Sequence, residues 1–383
     1  MNHLLVAPIL LPMFTAALLL VLHRAPAAFA RSVNAAATLS LCAASVAILT
    51  QVESGTQLVY QVGNWPPPFG IVLVADRLSA LMLLLTGLLA PAVLLYAAQG
   101  WDARARYFHP LFLFQLMGLN GAFLAGDLFN LFVFFEILLI ASYCLALQGL
   151  LVERLRATLH YAAISIAASS VFLMAVSLLY GITGTLNMAH LAERVALVRT
   201  EDVALVRVAG LLLLGVFSIK AALFPLYFWL PALYSNAPAP VAALFSMMTK
   251  VGVYAIIRIT TLIYGAEAGV LMELTSPWLL PIALITLVLG ALSAFGAGRL
   301  ATMTAYLTIA SVGTILTAVA IGGAAAFSAG LYYLAHSTIV IALLFLVGDL
   351  IGRSRGDMND QIHPGPQIGR AAGLGLGYLF AGA

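Results

Sequence analysis

The sequence predicts an all-α polytopic membrane protein, and three observations carry that reading. Of 383 residues 63% are hydrophobic and only 8% are charged, more apolar surface than a water-soluble core of this size can hide. Eleven apolar stretches approach or exceed the ~20 residues that cross a bilayer as a helix. The charged residues fall mostly between those stretches rather than inside them.

In order, the predicted spans are Leu4–Leu22, Val33–Val52, Leu78–Leu95, Tyr107–Gly126, Leu128–Gln148, Leu159–Ile182, Val206–Pro231, Pro240–Tyr264, Trp278–Ala297, Leu300–Ile321 and Ala326–Leu350. The first is followed by "APAAFA", which resembles a cleavage site, but it lacks a basic leader and is long for a signal sequence, so it reads as a retained helix. Between the second and third, "YQVGNWPPPFGIVLVADRLSA" alternates and turns like a small hairpin that caps one face. A twelfth apolar stretch starts at Ala371 and stops at Ala383, too short to cross ~30 Å of hydrocarbon. On that ground the chain reads as a fragment. Cys42 and Cys144 each sit alone within a span and read as small hydrophobes.

Charge placement predicts orientation. With alternate loops on opposite sides, one side collects Arg24, Arg31, Arg104, Arg106, Arg154, Arg156, Arg299, Arg353, Arg355 and Arg370. The other holds Arg77, Arg194, Arg199 and Arg207, the last three with Glu193, Glu201 and Asp202 among them. The positive-inside rule makes the first side cytoplasmic and puts the N-terminus outside. The net charge of +3 then reports topology and not a nucleic-acid partner.

Both lysines, Lys220 and Lys250, lie inside apolar spans, whereas the arginines other than Arg258 lie in loops or at span ends. Guanidinium stays protonated in proteins, but a buried lysine can release its proton. Lys220, Lys250, Glu136 and His336 fall within about two residues, ~3 Å, of the middles of their four spans. Each would cost roughly 2.5–3.5 kcal/mol if charged and facing lipid, so a layer of exchangeable protons at mid-membrane is the simplest account. The bland account is a buried Lys–Glu pair that only holds helices together, with His336 as a packing residue. Pro225 and Pro231 predict a helix break after Lys220, of the kind that lines a watery cavity. Asp127 reads as an N-cap, and Asp349 and Arg258 lie toward span ends where they can snorkel. Tyr227 and Thr249, beside the two lysines in sequence, are secondary candidates with Asp127 and Asp349. The pair Met247–Met248 and "FNLFVFF" read as packing.

The block "KAALFPLYFWLPALYSNAPAPVAALFSMMTKVGVYAIIRI", from Lys220 to Ile259, resembles the proton-translocating membrane subunits shared by respiratory complex I and the multisubunit Mrp cation/proton antiporters. "LFNLFVFFEILLIASY" looks like that family's glutamate-bearing helix, and "YLTIASVG" is similar to its "AYSSISxxG" pattern. "MNHLLVAPILLPMFTAALLL" and "TKVGVYAIIR" look like the D-type components of the antiporters. The resemblance implies two inverted repeats, each with a broken helix. It divides the chain into N-terminal helices and hairpin at 1–106, a first repeat at 107–264 and an incomplete second repeat at 265–383. It implies a proton relay of Glu136, Lys220, Lys250 and His336, with Glu136 modulating Lys220. The family's lysine after the histidine is absent from "HSTIVIALLFLVGD", and its second broken helix would lie beyond "GLGLGYLFAGA".

The function so implied is a proton-translocating subunit of a Na⁺ or K⁺/H⁺ antiporter in the bacterial cytoplasmic membrane, a transporter subunit and not a catalyst in itself. Its expected partners are other antiporter subunits, protons, Na⁺ or K⁺, and the lipid bilayer. The alternative is a proton-pumping subunit of a complex I or membrane-bound hydrogenase assembly. No cofactor and no metal are expected. No sodium cage of convergent oxygens stands out, which places the cation route in a partner subunit. A membrane transferase acting on lipid-linked substrates would want a partner motif for Glu201–Asp202 or Asp357–Asp360, and none is present.

Overall fold

A computed structural model describes residues 3–149, 151–355 and 360–362. The stretch from Ala371, together with Asp357 and Arg370, lies outside them. Among the described residues there are thirteen α-helices and one two-stranded sheet. The helices are α1 (Ala7–Val21), α2 (Ala27–Val52), α3 (Arg77–Ala97), α4 (Phe108–Leu124), α5 (Leu128–Ala146), α6 (Val152–Thr183) and α7 (Met188–Ala196), then α8 (Val203–Ala221), α9 (Trp229–Asn236), α10 (Ala239–Arg258), α11 (Ser276–Phe295), α12 (Leu300–Ile321) and α13 (Ala324–Ser354).

Nine of these helical segments are long and apolar enough to cross a membrane, and α1 and α4 are shorter apolar helices of 15 and 17 residues. Together they coincide with the eleven predicted spans; α8, the break after it and α9 share one of them. The chain is a multi-pass membrane protein. Its outward faces carry large apolar side chains such as Phe14, Leu95, Met174 and Phe295, as lipid contact requires.

The predicted hairpin forms. β1 (Leu58–Gln61) pairs antiparallel with β2 (Val72–Ala75) in the register Leu58↔Ala75 to Gln61↔Val72. The β2 strand continues into the bundle, because the Gly126 amide donates to the Val72 carbonyl at 2.9 Å just ahead of α5. At this end α7 is an amphipathic helix in the α6–α8 connection with Met188, Leu191 and Val195 buried.

The centre of the bundle is α10. From Pro240 to Ile257 every residue is buried, packed by α8, α13, α3 and α12. Close approach is set by Gly252, where an added Cβ would stand 2.4 Å from the Ala221 amide nitrogen and 2.8 Å from the Lys220 carbonyl carbon. The backbone end of α8 thus lies directly on α10. A π-helical turn, Ile259–Ile263, extends α10 toward the hairpin side.

Several charges near the helix ends are paired. Arg258 does not snorkel. It turns inward to grip Asp76, the N-cap of α3, with two hydrogen bonds of 2.6 Å, and also reaches Ser79 and Tyr254. The Tyr254 hydroxyl in turn donates to the Phe123 carbonyl, tying α10 to α4. Burial pushes the Asp76 carboxyl up, but the Arg258 guanidinium and Ser79 outweigh it and hold the group below the usual carboxylate range. At the opposite end Arg31 on α2 makes a two-point pair with Asp102, at 2.5 and 2.8 Å, and His109 on α4 joins the same carboxylate at 3.2 Å. Burial raises the Asp102 carboxyl and the Arg31 pair more than offsets it, so this group too sits low.

Candidate functional site

The helix break is where the site begins. α8 ends at Ala221; Ala222 adopts the left-handed conformation at φ 60°, and the chain runs irregularly to Trp229 before α9 starts. Pro225 lies in this irregular segment, while Pro231 is the third residue of α9, in the first turn where a missing N–H costs nothing. Two of the carbonyls freed by the break are satisfied: Ser218 accepts from the Leu223 amide, and Ile219 from the Trp229 indole at 3.0 Å. The Phe224 amide donates to Thr286 of α11 at 2.9 Å. The break is therefore a fixed, bonded kink with Tyr227 half-buried in it.

Lys220 is the penultimate residue of α8, so its ammonium stands at the negative end of the helix dipole. It is 7% exposed, and its Nζ has no hydrogen-bond partner among the described residues. It lies over the Phe135 ring at 5.9 Å, and the charged group that acts on it is Glu136 of α5. Beside it is a cavity of about 10 Å³ walled by Phe135, Tyr161, Ser165, Trp229 and Met248, near the minimum that holds one water. Glu136 itself is half-buried and accepts a short hydrogen bond from Ser169 of α6. The carboxylate and the ammonium are near neighbours that do not touch.

Lys250, near the middle of α10, has different surroundings. It is fully buried and donates to Ser311 of α12 at 3.0 Å; among the described residues no charged group acts on it. The Ser311 hydroxyl in turn donates to the Thr308 carbonyl. Thr249 is buried and bonds within its own helix. Gly252 links the two lysine sites, since it is the point where α10 meets the backbone of Lys220.

The structure does not bring His336 into this group. It lies on α13 and is exposed, and the Lys250 ammonium is bonded to Ser311 instead. Asp127 caps α5 by accepting the Asn130 amide at 2.6 Å. Burial raises its carboxyl, opposed by the Asn130 and Phe129 amides. Asp349 is bound in place by Tyr96 at 2.6 Å and Arg353 at 2.7 Å, so it does not snorkel. The phenylalanine-rich segment packs as the sequence suggests, with Phe135 against Phe172 and Phe217. Cys42 and Cys144 are free. Among the described residues no three His, Cys, Asp or Glu side chains converge as metal ligands.

Sequence reasoning passed over Ser169, Ser311 and the Asp76–Arg258 pair. Ser311 lies inside the quoted "YLTIASVG", where a hydroxyl among apolar residues was the available signal. Ser169, in "AASS", gives none, because serine within a membrane helix usually bonds its own backbone.

Known proteins share this fold. The family model described as "NADH:quinone oxidoreductase/Mrp antiporter, TM" matches residues 125–363. The chain is 42% identical over 93% of its length to a probable K⁺/H⁺ antiporter component, the D-type one, of Rhizobium meliloti, covering 67% of that protein. It is 39% identical over 93% of its length to the corresponding D-type component of a Na⁺/H⁺ antiporter of Alkalihalophilus pseudofirmus, covering 71%. A chain in the Mrp complex from Dietzia superposes with a TM-score of 0.83 at 34% identity, over 93% of this chain and 66% of that one. A chain of an archaeal membrane-bound sulfane sulfur reductase does so with a TM-score of 0.90 at 29% identity, over 99% and 77%. The chain thus spans about two thirds of the length of the relatives it matches first. On the match to its transmembrane helices and on these identities, it belongs to the NADH:quinone oxidoreductase/Mrp antiporter membrane family.

Proposed function

We propose that this chain is the proton-translocating subunit of a multisubunit monovalent cation/proton antiporter. The observation that carries the reading is the pair of buried lysines without a salt-bridge partner among the described residues, one at a helix break beside Glu136 and the other on the enclosed central helix. The names of the relatives, components of K⁺/H⁺ and Na⁺/H⁺ antiporters, support the class.

Protons reach Lys220 through the break; movement of Glu136 changes how firmly that lysine holds its proton; the proton then passes through Lys250 and the Ser311 side of α12. Two unit charges ~5 Å apart interact by ~3 kcal/mol at an effective dielectric of about 20, enough for such switching. His336 serves as the exit toward the remainder of the relay in the assembled complex. The division into 1–106, 107–264 and 265–383 follows, with the break belonging to the first repeat. Arginine placement supports a bacterial cytoplasmic membrane with the N-terminus outside. The second reading, a proton-pumping subunit of a redox-driven membrane complex, is favoured by the likeness to the archaeal respiratory assembly.

The deciding experiment is cation-dependent dissipation of a pH gradient in everted vesicles carrying the assembled complex, wild type against Lys220→Ala at matched expression. The proposal expects exchange to vanish while assembly persists. Exchange that survives the substitution rules Lys220 out as a carrier. Proton movement that needs an electron donor instead of Na⁺ or K⁺ selects the second reading.

A further inference from the structure

At the arginine-rich end, far along α4 from the lysines, a second titratable group is buried and plays no part in the relay. His109 is 7% exposed, Asn34 is fully buried and Asp102 is 5% exposed. The ring Nε2 meets Asp102 Oδ2 at 3.2 Å, and the ring Nδ1 meets the Asn34 amide nitrogen at 3.0 Å. An amide nitrogen can only donate, so in this arrangement Nδ1 accepts, Nε2 carries the ring proton and the imidazole is neutral. The Asn34 carbonyl oxygen is meanwhile buried with no partner among the described residues.

That orphan oxygen matters because of what a half-turn of the amide does. If Nδ1 takes a proton from water, it becomes a donor, and rotating the Asn34 amide brings the idle oxygen to meet it. One amide hydrogen bond is made and one buried amide group is left idle in either state, so the hydrogen-bond count does not choose between them. Asp102 stays bonded to Nε2 throughout. We infer that His109 and Asn34 form a proton-binding site, separate from the mid-membrane layer, in which rotation of the Asn34 amide accommodates the bound proton.

The surroundings leave few other charges to interfere. The charged groups that act on the ring are Asp102 and Arg31. α1 and the rest of α4 carry no charge, and α3, α5 and α10 carry theirs at mid-span or at the opposite end, as Arg77, Glu136, Lys250 and Arg258. In the adjoining loops His23, Arg24, Arg104 and Arg106 are exposed, and Arg154 stacks on Trp101. Proton uptake turns a neutral Arg31–Asp102–His109 set into one with a net positive charge. Arg31, whose side chain is 36% exposed, is the member able to carry that excess toward water. The site therefore links proton occupancy to the clamp between α2 and the α3–α4 connection.

The test is nitrogen-15 NMR of the whole chain in liposomes with labelled histidine and asparagine, His109 being assigned by its loss in His109→Gln. As pH falls from about 8 to about 5, His109 Nδ1 should pass from acceptor to protonated, and the Asn34 side-chain amide should shift with the same midpoint. Asn34→Asp, which puts a carboxylate against Nδ1, should raise the midpoint by about one pH unit or more. A ring that keeps one protonation state across this range overturns the inference, and so does an Asn34 amide that stays still while the ring titrates. The wild-type titration decides the matter even if the Asn34 variant does not fold, and it requires no transport activity.

Discussion

The charges at the ends of this bundle and the charges in its middle are treated in opposite ways. Arg258 with Asp76, and Arg31 with Asp102, are held by bidentate geometry between different segments of the chain. Lys220 has a carboxylate nearby that is bonded elsewhere, and Lys250 is bonded to a serine. A buried ion pair fixes structure, and breaking it leaves an uncompensated charge. A buried ammonium without a salt bridge does little for structure that methionine would not do better, so its presence points to its proton.

That contrast can be broken most directly by exchanging the lysines for methionine. Lys220→Met and Lys250→Met should each reduce gradient dissipation by the assembled complex to background. The stability of the purified protein should stay the same or rise, most for the fully enclosed Lys250, because methionine carries no charge to desolvate. A large loss of stability in either would move that lysine into the structural class.

At the ends the outcome should reverse. Asp76→Asn leaves a half-buried Arg258 without its charged partner and should cost ~1.5–3 kcal/mol, read as a lower melting temperature in detergent. The pH dependence has a definite sign. Because the folded-state carboxyl lies below its unfolded value of ~3.9, its contribution is complete above that value and is lost only as pH falls through the folded one.

Smaller effects sharpen the difference between the lysines. Ser311→Ala removes the hydrogen-bond partner of Lys250 and should cost ~1.5–3 kcal/mol. Ser169→Ala frees a half-buried Glu136 and should cost less, while moving the pH profile of exchange because the carboxylate is free to approach Lys220. Gly252→Ala drives a Cβ into the Lys220–Ala221 backbone and should cost ~1–3 kcal/mol. It should also impair exchange though it removes no titratable group.

The smallest effect belongs to Asp127. Its carboxyl is raised by burial, so its favourable contribution is present below ~3.9 and is lost as pH rises through the folded value. Asn caps as well as Asp. Asp127→Asn should therefore be neutral, or stabilising by up to ~1 kcal/mol, when melting is followed at pH 7.

The spans were legible because lipid imposes one requirement, apolar length, that composition displays directly. The hairpin was legible from alternation and turn residues, and the lysines from their absence elsewhere. What sequence could not display was direction. Arg258 occupies a span end in either account, and only the placement of Asp76, 182 residues away in sequence, decides that it turns inward. His336 shares the depth of the other three groups, but depth is a coordinate along the membrane normal and says nothing about which way a side chain faces around its helix. Pro225 lies within the break and Pro231 in the first turn of α9, yet the turn itself is made by Ala222, whose left-handed conformation no side chain announces.

The complete enclosure of α10 has a consequence for how the protein is made. Among the nine candidate spans it has the lowest mean hydropathy, and it carries Lys250 near its centre, where a charged lysine costs ~2.5–3.5 kcal/mol on passing from the translocon into lipid. It is therefore the helix least able to partition alone. Its lateral release favours waiting for neighbours that cover it, α8 before it and α12 and α13 after it, so insertion at this point depends on the order of synthesis. A lysine at its centre thus makes the innermost helix a late and dependent arrival in the membrane.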